Sequence, residues 1–316
     1  MNWRISAFLL IIILMVSCKQ QEKPPPENST VKHIQKSPLV EAEFLKSNLD
    51  DSKYTIVDFR KPEQFKKGHI PNAINIWRSD IENPNFPYKG IMASKEQLEK
   101  LFSKLGIKNE DTLLIYDDRG LCDAARLWWI LNTYNFKKVQ LLNGGLQAWQ
   151  NLGGQLSSTI QTSEQSNFKF PAKNETPHYI SKEELSKAIK HKADWTLIDT
   201  RTHNEFSGKR QKLGAFKAGR IPNSTFIDWS EVVDYEGTMK FRSLEELEQL
   251  YKRLGVSKHD TLVTYCHTGV RSAHTTFVLT QLLAYKNVKN YDGSWVEWSY
   301  YNDLPVKKDS STVILQ

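Results

Sequence analysis

The feature that most constrains this 316-residue chain is that it repeats itself at a domain-sized interval. Leu98-Glu99-Lys100-Leu101 through Lys104-Leu105-Gly106 returns 149 positions later as Leu247-Glu248-Gln249-Leu250 through Arg253-Leu254-Gly255. The same shift carries Asp111-Thr112-Leu113 onto Asp260-Thr261-Leu262, Tyr116 onto Tyr265, and Gly144 and Trp149 onto Gly293 and Trp298. Upstream, Val57-Asp58-Phe59-Arg60 matches Ile198-Asp199-Thr200-Arg201 at a shift of 141, and Gly68-His69-Ile70-Pro71-Asn72 matches Gly219-Arg220-Ile221-Pro222-Asn223 at 151. The second copy has therefore gained ten residues between Phe206 and Gly219. A period near 150 means a duplicated domain and not a solenoid.

Strand-like and helix-like runs alternate within each copy. That order implies an α/β fold: two tandem domains, each an open parallel sheet with helices on both faces. A site in such a fold lies at the carboxyl ends of the strands, here beside the cleft between the copies. The expected boundaries are 38–157 for the first domain, 158–176 for an interdomain linker, 177–308 for the second domain and 309–316 for a tail.

Chemistry concentrates in the second copy. Thr261 to Tyr265 is rich in β-branched residues and reads as a buried strand, and Ser272 to Tyr285 carries a helical apolar pattern without Gly or Pro. Between them stands Cys266-His267-Thr268-Gly269-Val270-Arg271. A cysteine at the end of a strand, in a loop that opens a helix, meets a concentration of backbone N–H donors. Those donors favour thiolate over thiol and also hold oxyanions, so one loop can activate a nucleophile and seat an anionic substrate. Under the 149 shift, Cys266 lines up with Asp117, His267 with Asp118, Thr268 with Arg119 and Gly269 with Gly120. The first copy keeps the glycine turn but carries a carboxylate where the nucleophile would be. The second copy reads as built for chemistry and the first as scaffold.

At these residues the chain resembles the tandem-domain rhodaneses, the thiosulfate and 3-mercaptopyruvate sulfurtransferases, over about Pro38 to Pro305. The signatures are Val57-Asp58-Phe59-Arg60, Gly68-His69-Ile70-Pro71-Asn72-Ala73, Leu142-Asn143-Gly144-Gly145 with Trp149, the Cys266 loop, and Tyr291-Asp292-Gly293-Ser294-Trp295. The resemblance implies an inactive first domain, a catalytic second one, and a double displacement in which Cys266 takes up sulfane sulfur as a persulfide. A thiophilic acceptor, cyanide or a thiol, then collects it. It implies no cofactor, and no Cys/His cluster has metal-ligand spacing. Arg271 follows Cys266 after four residues, whereas the phosphatase loop of this fold class has five, so the cradle suits a sulfane sulfur better than a tetrahedral phosphate.

Donor choice turns on cations. Arg271 and a protonated His267 at the rim of the loop favour the thiosulfate dianion, with 3-mercaptopyruvate as the alternative donor. His267, Thr268, Gly269, Val270 and Arg271 are the expected substrate-binding residues around catalytic Cys266. The resemblance also implies an Arg directly before Phe206, but Glu205 stands there. Arg210, Lys212 or Arg220, in or beside the insertion, can supply the missing cation; Arg210 is the chosen candidate. A persulfide-carrying relay without fast turnover, or a binding lipoprotein, is the alternative to an enzyme.

Ile5 to Val16 is apolar except for Ser6, a length that suits a signal peptide and is too short to span a membrane. Met15-Val16-Ser17-Cys18 resembles a bacterial lipobox, so residues 1–18 are expected to be a lipoprotein signal with Cys18 the lipidated residue. Residues 19–37, with Pro24-Pro25-Pro26, read as a flexible tether. A lipid-anchored protein of the cell envelope, facing the periplasm or the outer membrane and acting as a monomer, is the expectation. Cys122, the third cysteine, sits in the degenerate loop and reads as a bystander. The net charge of +7 is spread along the chain without an arginine-rich stripe, which excludes a nucleic-acid footprint but helps attract small anions.

Overall fold

The computed structural model describes residues 37–172 and 176–309. Cys18, the signal segment and nearly all of the tether, to residue 36, lie outside the described residues, as do 310–316 of the tail. No described helix is long and apolar enough to cross a membrane.

The first copy contributes strands β1 (Leu39–Val40), β2 (Tyr54–Asp58), β3 (Ile74–Asn75), β4 (Thr112–Tyr116) and β5 (Val139–Leu142). The second contributes β6 (Tyr179–Ile180), β7 (Trp195–Asp199), β8 (Thr225–Phe226), β9 (Thr261–Tyr265) and β10 (Asn287–Tyr291). Their orders are β1-β5-β4-β2-β3 and β6-β10-β9-β7-β8, the same permutation twice, and every pairing is parallel. The central strands β4 and β9 are buried from their second residue onward, as a sheet covered on both faces requires.

The helices are α1 (Ala42–Ser47), α2 (Pro62–Lys67), α3 (Lys95–Lys104), α4 (Cys122–Thr133) and α5 (Gly145–Asn151), then α6 (Lys182–Lys190), α7 (His203–Ser207), α8 (Leu244–Lys252), α9 (Val270–Phe277) and α10 (Ser294–Tyr300). The repeated Leu-Glu-x-Leu segments form α3 and α8. Each starts on a serine whose hydroxyl accepts the N–H three residues on, Ser94 from Gln97 and Ser243 from Glu246. Helix α9 is shorter than its sequence pattern: after Phe277 it widens into a π turn over Val278–Leu282. There Thr280 Oγ1 donates to the Thr276 carbonyl at 2.7 Å, a local bond that competes with the helical ladder.

The duplication is visible in a buried quartet built twice. Arg60 grips Asp58 and the Gly68 carbonyl, and Tyr116 donates to the same Asp58 at 2.5 Å. Arg201, Asp199, the Gly219 carbonyl and Tyr265 repeat the arrangement, with the tyrosine bond at 2.7 Å. These Asp-Arg pairs tie each strand end to the following loop.

The copies join through α4 and α9. Trp128 meets Phe277 edge to face at 4.9 Å, and His274 Nε2 donates to the Gly120 carbonyl at 2.9 Å. One hydrophobic cluster runs through both copies, including Trp128, Trp129, Phe241 and Phe277. The expected linker is not loose where it is described: Phe168 and Phe170 are buried against Phe102 in the first copy.

Candidate active site

Cys266 follows the last residue of β9, and Gly269 closes the loop in the left-handed region at φ 72° before α9 begins. A side chain at 269 would lie 2.5 Å from the Asp292 carbonyl and 2.7 Å from Arg126 Nη1, so both backbone and space demand glycine. The loop is laced to the start of α10. Ser294 Oγ accepts the N–H groups of Cys266 and Gly269, each at 3.0 Å, and donates to the Tyr291 carbonyl. Trp295 and Val296 donate their N–H groups back to the Cys266 and His267 carbonyls.

The first copy shows what such a loop binds. The Asp117 carboxylate accepts four backbone N–H groups, from Arg119, Leu121, Asp123 and Ala124, at 2.8–2.9 Å. Burial nevertheless raises its pKa to about 6. Under the 149 shift those donors correspond to Thr268, Val270, Ser272 and Ala273. At Cys266, burial opposes the thiolate. Arg271, the Ser272 hydroxyl and N–H, and the Thr268 N–H outweigh it, so the thiol titrates below its usual range. The Ser272 hydroxyl is buried with no nitrogen or oxygen partner among the described residues, which leaves it for sulfur.

A cavity of about 550 Å³ opens beside this loop. Lys212, Leu213, Gly214, Phe216, His267, Thr268 and Val296 line it from the second copy, and Arg78, Glu82, Pro87, Tyr88 and Lys89 from the first. The first copy thus supplies nearly half the walls. Cys266 is 1% exposed and does not itself line the cavity, whereas the next two residues, His267 and Thr268, do. Gly90 packs on Thr268 so tightly that a Cβ at 90 would stand 2.6 Å from the Thr268 Cβ. Arg126 of α4 reaches across to the Gly90 carbonyl at 2.8 Å, to Asp292 at 2.5 Å and to the Gly269 carbonyl at 3.3 Å.

Three expected cations behave differently from the sequence reading. Arg271 is not offered to the cavity: Glu205 holds it through two bonds of 2.8 and 2.9 Å, and it acts on the thiol instead. Burial works against the Glu205 carboxylate, yet Arg271, then Arg201 and Lys212, keep its pKa well below the carboxylate range. His267 is neutral, because burial and then Lys212 press its pKa down to about 4. Its Nε2 donates to the Leu213 carbonyl at 3.0 Å, which leaves a buried Nδ1 lone pair without a partner among the described residues. Arg210 is exposed and does not line the cavity. Arg220 is committed to Asp309 and the Phe206 carbonyl. Lys212 lines the cavity, with a pKa lowered by burial and by Arg271, and Arg78 joins it from the first copy, 3.5 Å from Thr268 Oγ1.

Gly269 and Val270 serve the loop's shape, Val270 being buried at the start of α9. Arg126, Asp292 and Ser294 were missed as supports of the loop. A signal existed for the last, since the repeat places Ser294 opposite Gly145, where a Cβ would strike the Asp117 carbonyl.

The rhodanese-like domain family matches the chain twice, over residues 41–152 and 181–300. The chain belongs to the rhodanese family. Among its relatives is the sulfur carrier protein TtuD of Thermus thermophilus, 34% identical over 279 residues, covering 85% of this chain and 96% of the relative. A Mycobacterium leprae protein provisionally named a thiosulfate sulfurtransferase is 34% identical, covering 86% and 98%. The solved 3-mercaptopyruvate sulfurtransferase SseA of Escherichia coli superposes with a TM-score of 0.73 at 25% identity, covering 82% and 99%. The anaerobic ergothioneine biosynthesis enzyme of Chlorobium limicola shares the fold, with a TM-score of 0.74 at 23% identity over 86% of this chain and 70% of its own.

Proposed function

We propose that the protein is a sulfurtransferase that moves sulfane sulfur from thiosulfate to a thiophilic acceptor through a persulfide on Cys266. The observation that carries this reading is the pair of matched loops. In one the N–H cradle is filled by the Asp117 carboxylate; in the other it is left to a thiol whose pKa is lowered.

The Cys266 thiolate attacks the outer sulfur of thiosulfate, and the electron pair of the S–S bond leaves with sulfite. The enzyme then carries a persulfide anion, which Thr268 and Ser272 stabilise through N–H groups already turned toward the sulfur. Attack on the outer sulfur by cyanide gives thiocyanate and returns the thiolate. Lys212 and Arg78 hold the sulfonate end of the donor, while buried Arg271 favours the anionic sulfur throughout.

The names of the relatives support the class of reaction, and TtuD supports a second reading in which the persulfide passes to another protein. Cavity cations favour a dianionic donor, whereas 3-mercaptopyruvate would ask for a carboxylate clamp at the position Glu205 occupies. The apolar run 5–16 and Cys18 support an envelope location by lipid anchoring. The test follows sulfite release from thiosulfate and pyruvate release from 3-mercaptopyruvate, each with cyanide, in wild type and Cys266→Ser. Faster pyruvate release overturns the donor assignment, and labelling with radioactive palmitate in a bacterial host tests Cys18.

A further inference from the structure

Four of the seven large hydrophobic residues exposed among the described residues gather beside one feature, the active-site cavity. Leu213 is 97% exposed, although its carbonyl is pinned by His267. Phe216, Tyr300 and Phe86 join it through rings in contact: Phe216 on Tyr300 at 4.9 Å, Tyr300 on Tyr88 at 5.2 Å, and Tyr88 on Phe86 at 5.8 Å. Tyr88, which also donates to Glu297 at 2.8 Å, makes this ring chain continuous across both copies. Covering exposed Leu and Phe side chains is favourable, and a clustered apolar patch on a polar surface marks an interaction site.

We propose that this rim docks a sulfur-accepting protein that presents its thiol on an extended, acidic segment. The inference rests on the sulfurtransferase reading. Three observations choose that partner. Phe86 lies outside the cavity, so a small acceptor bound next to Cys266 would leave it uncovered. A volume of about 550 Å³ admits a stretch of extended chain but no folded domain, so a protein acceptor must bring its thiol to buried Cys266 on such a stretch. The lining carries Arg78, Lys89 and Lys212 against one acid, Glu82, and exposed Arg210 stands on the same loop as Lys212, so the complementary charge is negative. A membrane is a poor occupant, because seating the rim on a bilayer would close the mouth of the site.

The acceptor thiolate attacks the outer sulfur of the Cys266 persulfide. The S–S bond breaks, its electron pair returns to Cys266 as thiolate, and the outer sulfur leaves as the acceptor's persulfide; no oxidant or reductant is consumed.

The probes are fluorescent peptides ending in cysteine, one flanked by Asp, Glu and Leu, one by Lys and Leu, and one by Gly and Ser. Binding is read by anisotropy, and discharge of thiosulfate-loaded enzyme by loss of the persulfide mass. The expected result is preference for the acidic apolar peptide by about tenfold, reduced at least fivefold in Phe86→Ser and Arg210→Glu, with cyanide discharge unchanged in both. Equal binding of the three peptides, or indifference to both substitutions, overturns the docking surface even if Cys266 loads normally. Binding of wild type but not Phe86→Ser to phosphatidylglycerol vesicles, without peptide preference, overturns it in favour of a membrane contact. If peptide binding follows expectation but thiosulfate leaves no persulfide, the docking surface stands and the sulfurtransferase reading fails.

Discussion

Glu205 grips both terminal nitrogens of Arg271, at 2.8 and 2.9 Å, and this decides where the arginine's charge acts. Held by Glu205 and absent from the cavity lining, Arg271 offsets the burial of Cys266 and lowers its pKa. Arg271→Met should therefore raise the pH midpoint of Cys266 alkylation by iodoacetamide, and Glu205→Gln should lower it. Both should lose roughly 3–5 kcal/mol of stability, because each leaves a buried group without its partner. Denaturant midpoints separate that loss from the titration.

The donor is held by different cations. Lys212→Ala and Arg78→Ala should each raise KM for thiosulfate by about tenfold, the scale of a charge-assisted bond partly screened by solvent. Their kcat should change far less. Initial-rate kinetics in low and high salt check this, since added salt should weaken wild type and leave little further effect in the double variant.

Much of this was legible in the sequence, and the reasons for what was not are physical. The repeat gave two copies of one sheet, and the cysteine between strand β9 and helix α9 located the loop, because period and composition are local properties. The Arg271–Glu205 pair was not legible: the residues lie 66 positions apart and meet only once β7 and β9 are neighbours. Nor was the state of His267, which depends on burial and on Lys212. The role of Arg126 was hidden for the same reason, since its partners Gly90, Gly269 and Asp292 come from three loops.

Arg126 supplies the next expectation. Its planar fork serves three acceptors at once, so Arg126→Lys, though it keeps the charge, should lower kcat and melting temperature together. A lysine there cannot hold Asp292 and the Gly269 carbonyl simultaneously. Thiosulfate turnover and calorimetry on the same preparation measure both effects, and an unchanged kcat would place the interdomain clamp outside catalysis.

Stability should fall as pH drops from about 6.5 toward 4. His267 and His274 are held neutral with pKa values near 4, so across that window the unfolded chain binds more protons than the folded one. Asp117, raised to about 6, acts in the opposite sense: between 3.8 and 6 its folded form binds the extra proton. Glu297, raised by burial, acts with Asp117, but His178, lowered by burial, and Glu205, held low by Arg271 against its burial, act with the two imidazoles, so the net slope is positive. Urea midpoints at several pH values give the sign directly.

Cys122 should be silent. Burial, with Asp123 and Asp117 beside it, pushes its thiol well above the usual range. Cys122→Ala should leave sulfur transfer unchanged, and in folded wild type at pH 8 iodoacetamide should label only Cys266 of these two thiols. Peptide mapping after alkylation distinguishes them.

The most direct test incubates the reduced protein with thiosulfate and no acceptor, then weighs it. The proposed mechanism predicts that the peptide containing Cys266 gains the mass of one sulfur atom, that one equivalent of sulfite appears, and that cyanide removes the added mass as thiocyanate. Cys266→Ser should show none of these. An unmodified Cys266, or sulfur carried on Cys122 instead, would contradict it.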